Sequence, residues 1–62
     1  MIGKELTIDI NNKKSYPKVV WKEETDSHLV LHLEFEEGKS FKAIVEKITT
    51  SGKYFVKIIE KI

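Results

Sequence analysis

From residue 28 to the end the chain reads as three apolar runs, HLVLHLEF, SFKAIVEKI and YFVKIIEKI, separated only by EEGK and TTSGK. Connections this short leave room for little but hairpins between neighbouring elements. In the first run Leu29, Leu31, Leu33 and Phe35 point one way, and His28, Val30, His32 and Glu34 the other. That period of two is the mark of a strand with one buried face. Glu36, Glu37 and Gly38 form a three-residue loop if Gly38 takes the positive φ that closes such a turn. The loop then sets Leu33 opposite Phe41, Leu31 opposite Ala43 and Leu29 opposite Val45. Apolar residues meet apolar residues, and Ala43 leaves space for a large neighbour. Turn chemistry and face pattern therefore agree.

The second connection is expected to be a two-residue Ser51-Gly52 turn or a four-residue loop over 50–53. Either pairs Val45 with Ile58 and Phe41 with Ile62 on the core face. The other face then carries Ile48 with Phe55, Glu46 with Lys57 and Ile44 with Ile59. A three-residue loop is rejected, because it would set Val45 against Lys57. A helix competes with these strands. Phe41, Ile44, Val45 and Ile48 fall at helical spacing, as do Phe55, Ile58, Ile59 and Ile62, and Ser40 could cap the first stripe. The segments are short and rich in β-branched residues, and each follows a Gly-Lys turn. Strands are expected, with residues 54–62 the stretch where a helix competes best.

Residues 4–10 alternate again, with Leu6, Ile8 and Ile10 inward, and make a first strand. Residues 11–14 are a turn or loop tip, and Tyr16-Pro17 continues an extended loop, since the residue before proline avoids helical geometry. Val19, Val20 and Trp21 mark a second strand over 18–23, and residues 24–27 a polar turn. The expected fold is all-β: one domain over residues 1–62, built as a small five-stranded SH3-like barrel or a strongly twisted antiparallel meander. A full OB-fold is not expected, because only residues 36–39 stand where its helix would be.

Charge bounds the function. The 62 residues carry a net charge of +1. All 11 cations are lysine. Arginine, which reads phosphates and guanine edges through a planar fork, is missing, and this argues against sequence-specific DNA binding. Residues 1–37 hold five lysines against eight carboxylates, and residues 38–62 six lysines against two. A basic C-terminal face is a weak expectation from that split. No cysteine is present to form a disulfide or a cysteine zinc site, which fits a reducing compartment. No apolar run spans a bilayer, and MIGKELTIDI does not read as a signal peptide. The expectation is a soluble cytoplasmic protein.

Little here carries chemistry. His28 and His32 share a strand face about 13 Å apart at ~3.3 Å per residue, too far for one metal. They fall opposite Glu46 and Lys42 and read as partly exposed surface histidines. Glu23-Glu24 and Glu36-Glu37 sit in turns, where paired glutamates solubilise. No nucleophile motif or phosphate-binding glycine loop occurs. The chain is therefore not expected to be an enzyme, and no cofactor or metal is implied.

One feature stands out: the C-terminal runs are apolar on both faces. The main face holds Leu29, Leu31, Leu33, Phe41, Val45, Ile58 and Ile62. The second holds Val30, Ile44, Ile48, Phe55 and Ile59, fringed by His32, Lys42, Lys57 and Lys61. Long strands bending to serve two sheets would make both faces core. Otherwise the second face is an exposed patch. The functional expectation is a non-enzymatic small binding module, of inhibitor or accessory type. It would recognise a partner protein, or a second copy of itself as a homodimer, through the apolar and lysine sheet face or a strand edge. The site residues are Val30, Lys42, Ile44, Ile48, Phe55, Lys57 and Ile59. Two alternatives stand beside it. Phe55, Trp21 or Tyr16 could stack bases while Lys42, Lys57 and Lys61 meet phosphates, giving weak sequence-nonspecific nucleic-acid binding. Or the chain is a folded, even designed, domain without a selected ligand.

Overall fold

The computed structural model describes residues 1–11 and 14–62. Among these residues are five strands: β1 (Glu5–Asp9), β2 (Lys18–Glu24), β3 (Leu29–Glu34), β4 (Ser40–Ile48) and β5 (Lys53–Lys61). They form one antiparallel sheet in the order β1-β5-β4-β3-β2. The C-terminal segment is strand, which corrects the helical alternative. Its apolar residues divide by alternation: Val56 and Ile58 are buried while Phe55 and Ile59 face solvent. The Asn12–Lys13 part of the expected loop tip lies outside the described residues. The Tyr16–Pro17 peptide bond is cis.

Each expected strand is present within one or two residues of its expected ends. The β3–β4 ladder runs from Glu34↔Ser40 to Val30↔Ile44 and includes Leu33↔Phe41 and Leu31↔Ala43. The Phe35 amide donates to the Lys39 carbonyl at 2.8 Å and the Gly38 amide to the Phe35 carbonyl at 2.9 Å. Glu36, Glu37 and Gly38 thus form the three-residue loop, with Gly38 at φ +86°.

The β4–β5 hairpin corrects the sequence reading. Its loop is the three-residue Thr50-Ser51-Gly52, closed by the Thr49 amide on the Lys53 carbonyl at 2.8 Å. Gly52 takes φ +88°. From this loop Ile48 pairs with Tyr54 and Lys47 with Phe55, and an unbroken ladder would indeed bring Val45 to Lys57. A bulge between Val45 and Lys47 prevents it. Glu46 is the extra residue, so Val45 meets Val56, Ile44 meets Lys57 and Ala43 meets Ile58. A second shift, between Lys42 and Ala43, takes up Ile59 on β5, and Phe41 ends opposite Lys61. The expected pairs Val45–Ile58, Phe41–Ile62, Ile48–Phe55, Glu46–Lys57 and Ile44–Ile59 do not form. The expectation failed because it assumed an evenly paired ladder, whereas a bulge resets which face each later residue occupies.

The core lies on one side of this sheet. Ile8, Leu31, Leu33, Phe41, Ala43, Val56 and Ile58 form a buried cluster, with Leu6, Val19, Leu29, Phe35, Val45 and Tyr54 packed around it. Ile62, expected in the core, is exposed at the chain end. Phe35 and Phe41 meet edge to face at 5.6 Å between centroids. The sheet must curl to enclose this cluster without a second layer. Its principal extents, 29 × 23 × 19 Å, are those of a curled sheet rather than a thin slab.

The curl stops short of closure. β1 and β2 are the outer strands and do not pair, and no Cα of one comes within 8 Å of a Cα of the other.

Three substitutions test this fold. Gly52→Ala is expected to cost about 1–3 kcal/mol, since positive φ strains any residue with a Cβ. It should cost more than Gly38→Ala, because a Cβ at Gly52 would also stand 2.9 Å from Asn11 Nδ2, whereas Gly38 has open space around it. Leu31→Ala, at a fully buried site, should cost about 2–5 kcal/mol and bring a domain this small close to unfolding. Urea denaturation of the three variants reads both effects.

Candidate protein-interaction surface

Opposite residues in a ladder share a face, so the register maps the side of the sheet away from the core. One row runs Glu5, Lys57, Ile44, Val30, Glu23 from β1 to β2. The next runs Glu60, Lys42, His32, Trp21 from β5 to β2. Beyond Lys57, Phe55 lies between Thr7 and Lys47, whose ammonium is 6.0 Å from the ring centroid. Among the described residues no second layer covers this outer face. Val30 is nonetheless buried, and His32, Lys42 and Ile44 are half-buried.

Of the seven residues singled out in the sequence, Val30, Lys42, Ile44, Phe55 and Lys57 fall in these rows, and Ile59 is the extra residue of the neighbouring bulge. Ile48 leaves the group, because the register sets it opposite Tyr54, a residue packed on the core. Trp21 joins them. It is 63% exposed, the most open of the large apolar side chains. A bulge between Val19 and Trp21 puts it there: Val19 pairs with Leu33 on the core side, Val20 is the extra residue, and Trp21 pairs with His32 on the outer side. The sequence carried a sign of this, since the run Val19-Val20-Trp21 breaks the alternation of its strand.

The charges on this face are interleaved. Glu5 stands opposite Lys57, and Lys42 Nζ is 3.9 Å from Glu60 Oε2. The basic C-terminal segment therefore does not give a uniformly basic surface, because strand pairing brings carboxylates beside its lysines. Exposed pairs of this kind contribute little stability, about 0–1 kcal/mol. Their consequence is a balanced rim around an apolar centre.

The histidines do not converge. His28 sits in the β2–β3 turn, with Ser27 Oγ 2.8 Å from its Nδ1 and its amide donating to Thr25 Oγ1 at 3.0 Å. His32 Nε2 is 3.8 Å from Glu23 Oε2 and is buried without a hydrogen-bond partner. Among the described residues no group of three or more His, Asp or Glu could hold a metal, and no helix is long and apolar enough to cross a membrane.

The second feature is the seam between the sheet's two free edges. A groove of about 550 Å³ runs along it, lined by Ile8 to Asn11 on one side and by Pro17 to Val20 and Lys22 on the other. Ile8, Ile10, Val19 and Val20 make its apolar lining, and Lys18 and Lys22 its cationic rim. Along this seam the backbone groups of β1 and β2 that point away from β5 and β3 have no ladder partner. Val20 therefore stands where the groove and an unpaired edge meet, with Trp21 next to it on the outer face.

No protein-family model, curated protein or solved structure matches this chain.

The unpartnered His32 nitrogen yields a prediction. A buried polar atom left unsatisfied costs about 1–3 kcal/mol. His32→Leu removes it and sets an apolar side chain beside Val30 and Ile44. Stability should rise by about 1 kcal/mol, seen as a higher urea midpoint at neutral pH with an unchanged slope.

Proposed function

We propose that this domain is a non-enzymatic recognition module that binds another protein along the free edge of β2 and the outer-face side chains beside it. The observation that carries this reading is Trp21: the chain's single tryptophan, largely exposed, on a strand whose far edge is unpaired. Large aromatics left open on a surface are the usual anchors of protein interfaces. Ile44, Val30, Ile59 and Phe55 extend the apolar ground from Trp21, within the balanced rim of Glu5, Glu23, Lys42, Lys57 and Glu60.

The edge also carries protection. Lys22, Glu23 and Glu24 and the bulge at Val20 are devices that keep a free strand from pairing indiscriminately. An edge so guarded and yet bearing Val20 and Trp21 suits a selective partner rather than any passing strand. The free edge of β2 fits the same reading, since its outward backbone groups have no ladder partner. The nucleic-acid alternative loses ground, because Glu5 and Glu60 offset Lys57 and Lys42, the lysines it needs. A homodimer through the outer face remains a form of the proposal, with a second copy as partner.

Selection of short peptides from a random displayed library against the immobilised domain tests this. Binders should quench or shift Trp21 emission, hold in high salt, and lose about tenfold affinity on Trp21→Ala with the circular dichroism unchanged. A domain that instead binds a single-stranded oligonucleotide, with an affinity that collapses as salt rises, is a nucleic-acid binder, and the reading fails.

A further inference from the structure

We propose that His32 makes recognition at Trp21 sensitive to pH: a partner can cover the outer face beside Trp21 while the imidazole is neutral, and protonation of the ring opposes it. This rests on the recognition reading above and adds its regulation.

The placement of the ring carries the argument. His32 stands opposite Trp21 on β2 and Lys42 on β4, so the three side chains share the outer face. Its Nε2 is buried without a hydrogen-bond partner. Glu23 Oε2 is 3.8 Å away, too far for a hydrogen bond. A buried polar atom left unsatisfied is costly, and each such atom calls for an explanation. Leucine at this position would avoid the cost. What histidine adds is a charge that comes and goes between about pH 5 and pH 8.

Protonation changes the face in a definite way. Nε2 then carries a proton and becomes a donor. The Glu23 carboxylate accepts it after a movement of about 1 Å, and the Glu23 side chain, 49% exposed, has room to make that movement. The other charges around the ring are already matched. Lys42 opposes an imidazolium from β4, but its ammonium is 3.9 Å from Glu60 on β5. Lys18 on β2 stands opposite Glu34, the next outer-face residue of β3 after His32. Lys57, beside Ile44, stands opposite Glu5. Glu23 is left to the histidine.

Binding sets the direction. While the ring is neutral, Glu23 stays at the rim in water, and a partner over Trp21 covers an uncharged imidazole. Once the ring is charged, the carboxylate is drawn over it, and the partner must cover an ion pair. Taking two charges out of water costs more than covering a neutral ring. Affinity therefore falls as pH drops. His28, the chain's other histidine, lies in the β2–β3 turn against Ser27 and Thr25, away from the ladder position that faces Trp21. It serves as the control.

The test uses histidine-free peptides selected from the random library at about pH 7.5. In the free domain, Trp21 emission and the His32 ring signals in the NMR spectrum should change together as pH falls, with unchanged circular dichroism. The emission change should vanish in His32→Gln and in His32→Leu. Peptide affinity should fall about tenfold from about pH 7.5 to about pH 5.5 in the unmodified domain and in His28→Gln, and stay level in both His32 variants. A fall that persists in both His32 variants, or that disappears in His28→Gln, would overturn the assignment to His32. Peptides that depend on Trp21 but bind equally well at both pH values, or better at the lower one, would overturn the switch and leave the recognition reading standing. Failure to recover any peptide that depends on Trp21 would overturn both.

Discussion

The fold rests on one apolar row across the middle of the sheet: Ile58 on β5, Ala43 on β4 and Leu31 on β3, paired side by side and all fully buried. Burial of side chains of this size contributes roughly 1.5–3 kcal/mol for each large one. In a 62-residue chain with neither a second layer nor a disulfide, little else can hold the strands together. Ala43 is the small member of the row, and the sheet can bend over it. The next row, Val19, Leu33 and Phe41, continues the core toward β2, and Leu6, Val56 and Val45 continue it toward β1.

The bulges make this arrangement compatible with the turns. A three-residue loop at Thr50-Ser51-Gly52 sets a register in which Val45 would meet a lysine. Glu46, as an extra residue, returns Val45 to Val56, and Ile59 does the corresponding work at the other end of β5. Each bulge also adds local twist, and twist is what curls a single sheet around its own core. The bulge at Val20 acts on the third ladder, leaving Val19 inside and Trp21 outside.

Much of this was legible in the sequence because alternation is a strong signal where one face is fully buried. The five strands, the first hairpin with its glycine and the burial of Leu31, Leu33, Phe41, Ala43 and Ile58 all follow from period two and turn chemistry. The bulges were not legible. An inserted residue conserves composition and leaves only a break in alternation, such as Val19-Val20-Trp21 or the apolar pair Ile58-Ile59. Missing the bulge at Glu46 put Ile48 on the outer face, and missing the one at Ile59 put Ile62 in the core. The outer-face group of Val30, Ile44, Phe55, Lys57 and Ile59 was readable as a set. Its charge balance was not, since Glu5 and Glu60 reach those lysines only through pairing. The seam between β1 and β2 arises from the sum of twists across the sheet, and no single stretch of sequence encodes it.

The account stands on the sheet being open between β1 and β2, and nuclear Overhauser and amide-exchange measurements on the free domain address that directly. It predicts cross-strand contacts along the β1–β5, β5–β4, β4–β3 and β3–β2 ladders and none between Glu5–Asp9 and Lys18–Glu24. The seam-facing amides of both edge strands should exchange fast, while those of β3, β4 and β5 within the sheet are protected. A ladder of contacts joining β1 to β2, with slow amides on both, would mean a closed barrel with no free edge on β2, and would contradict it.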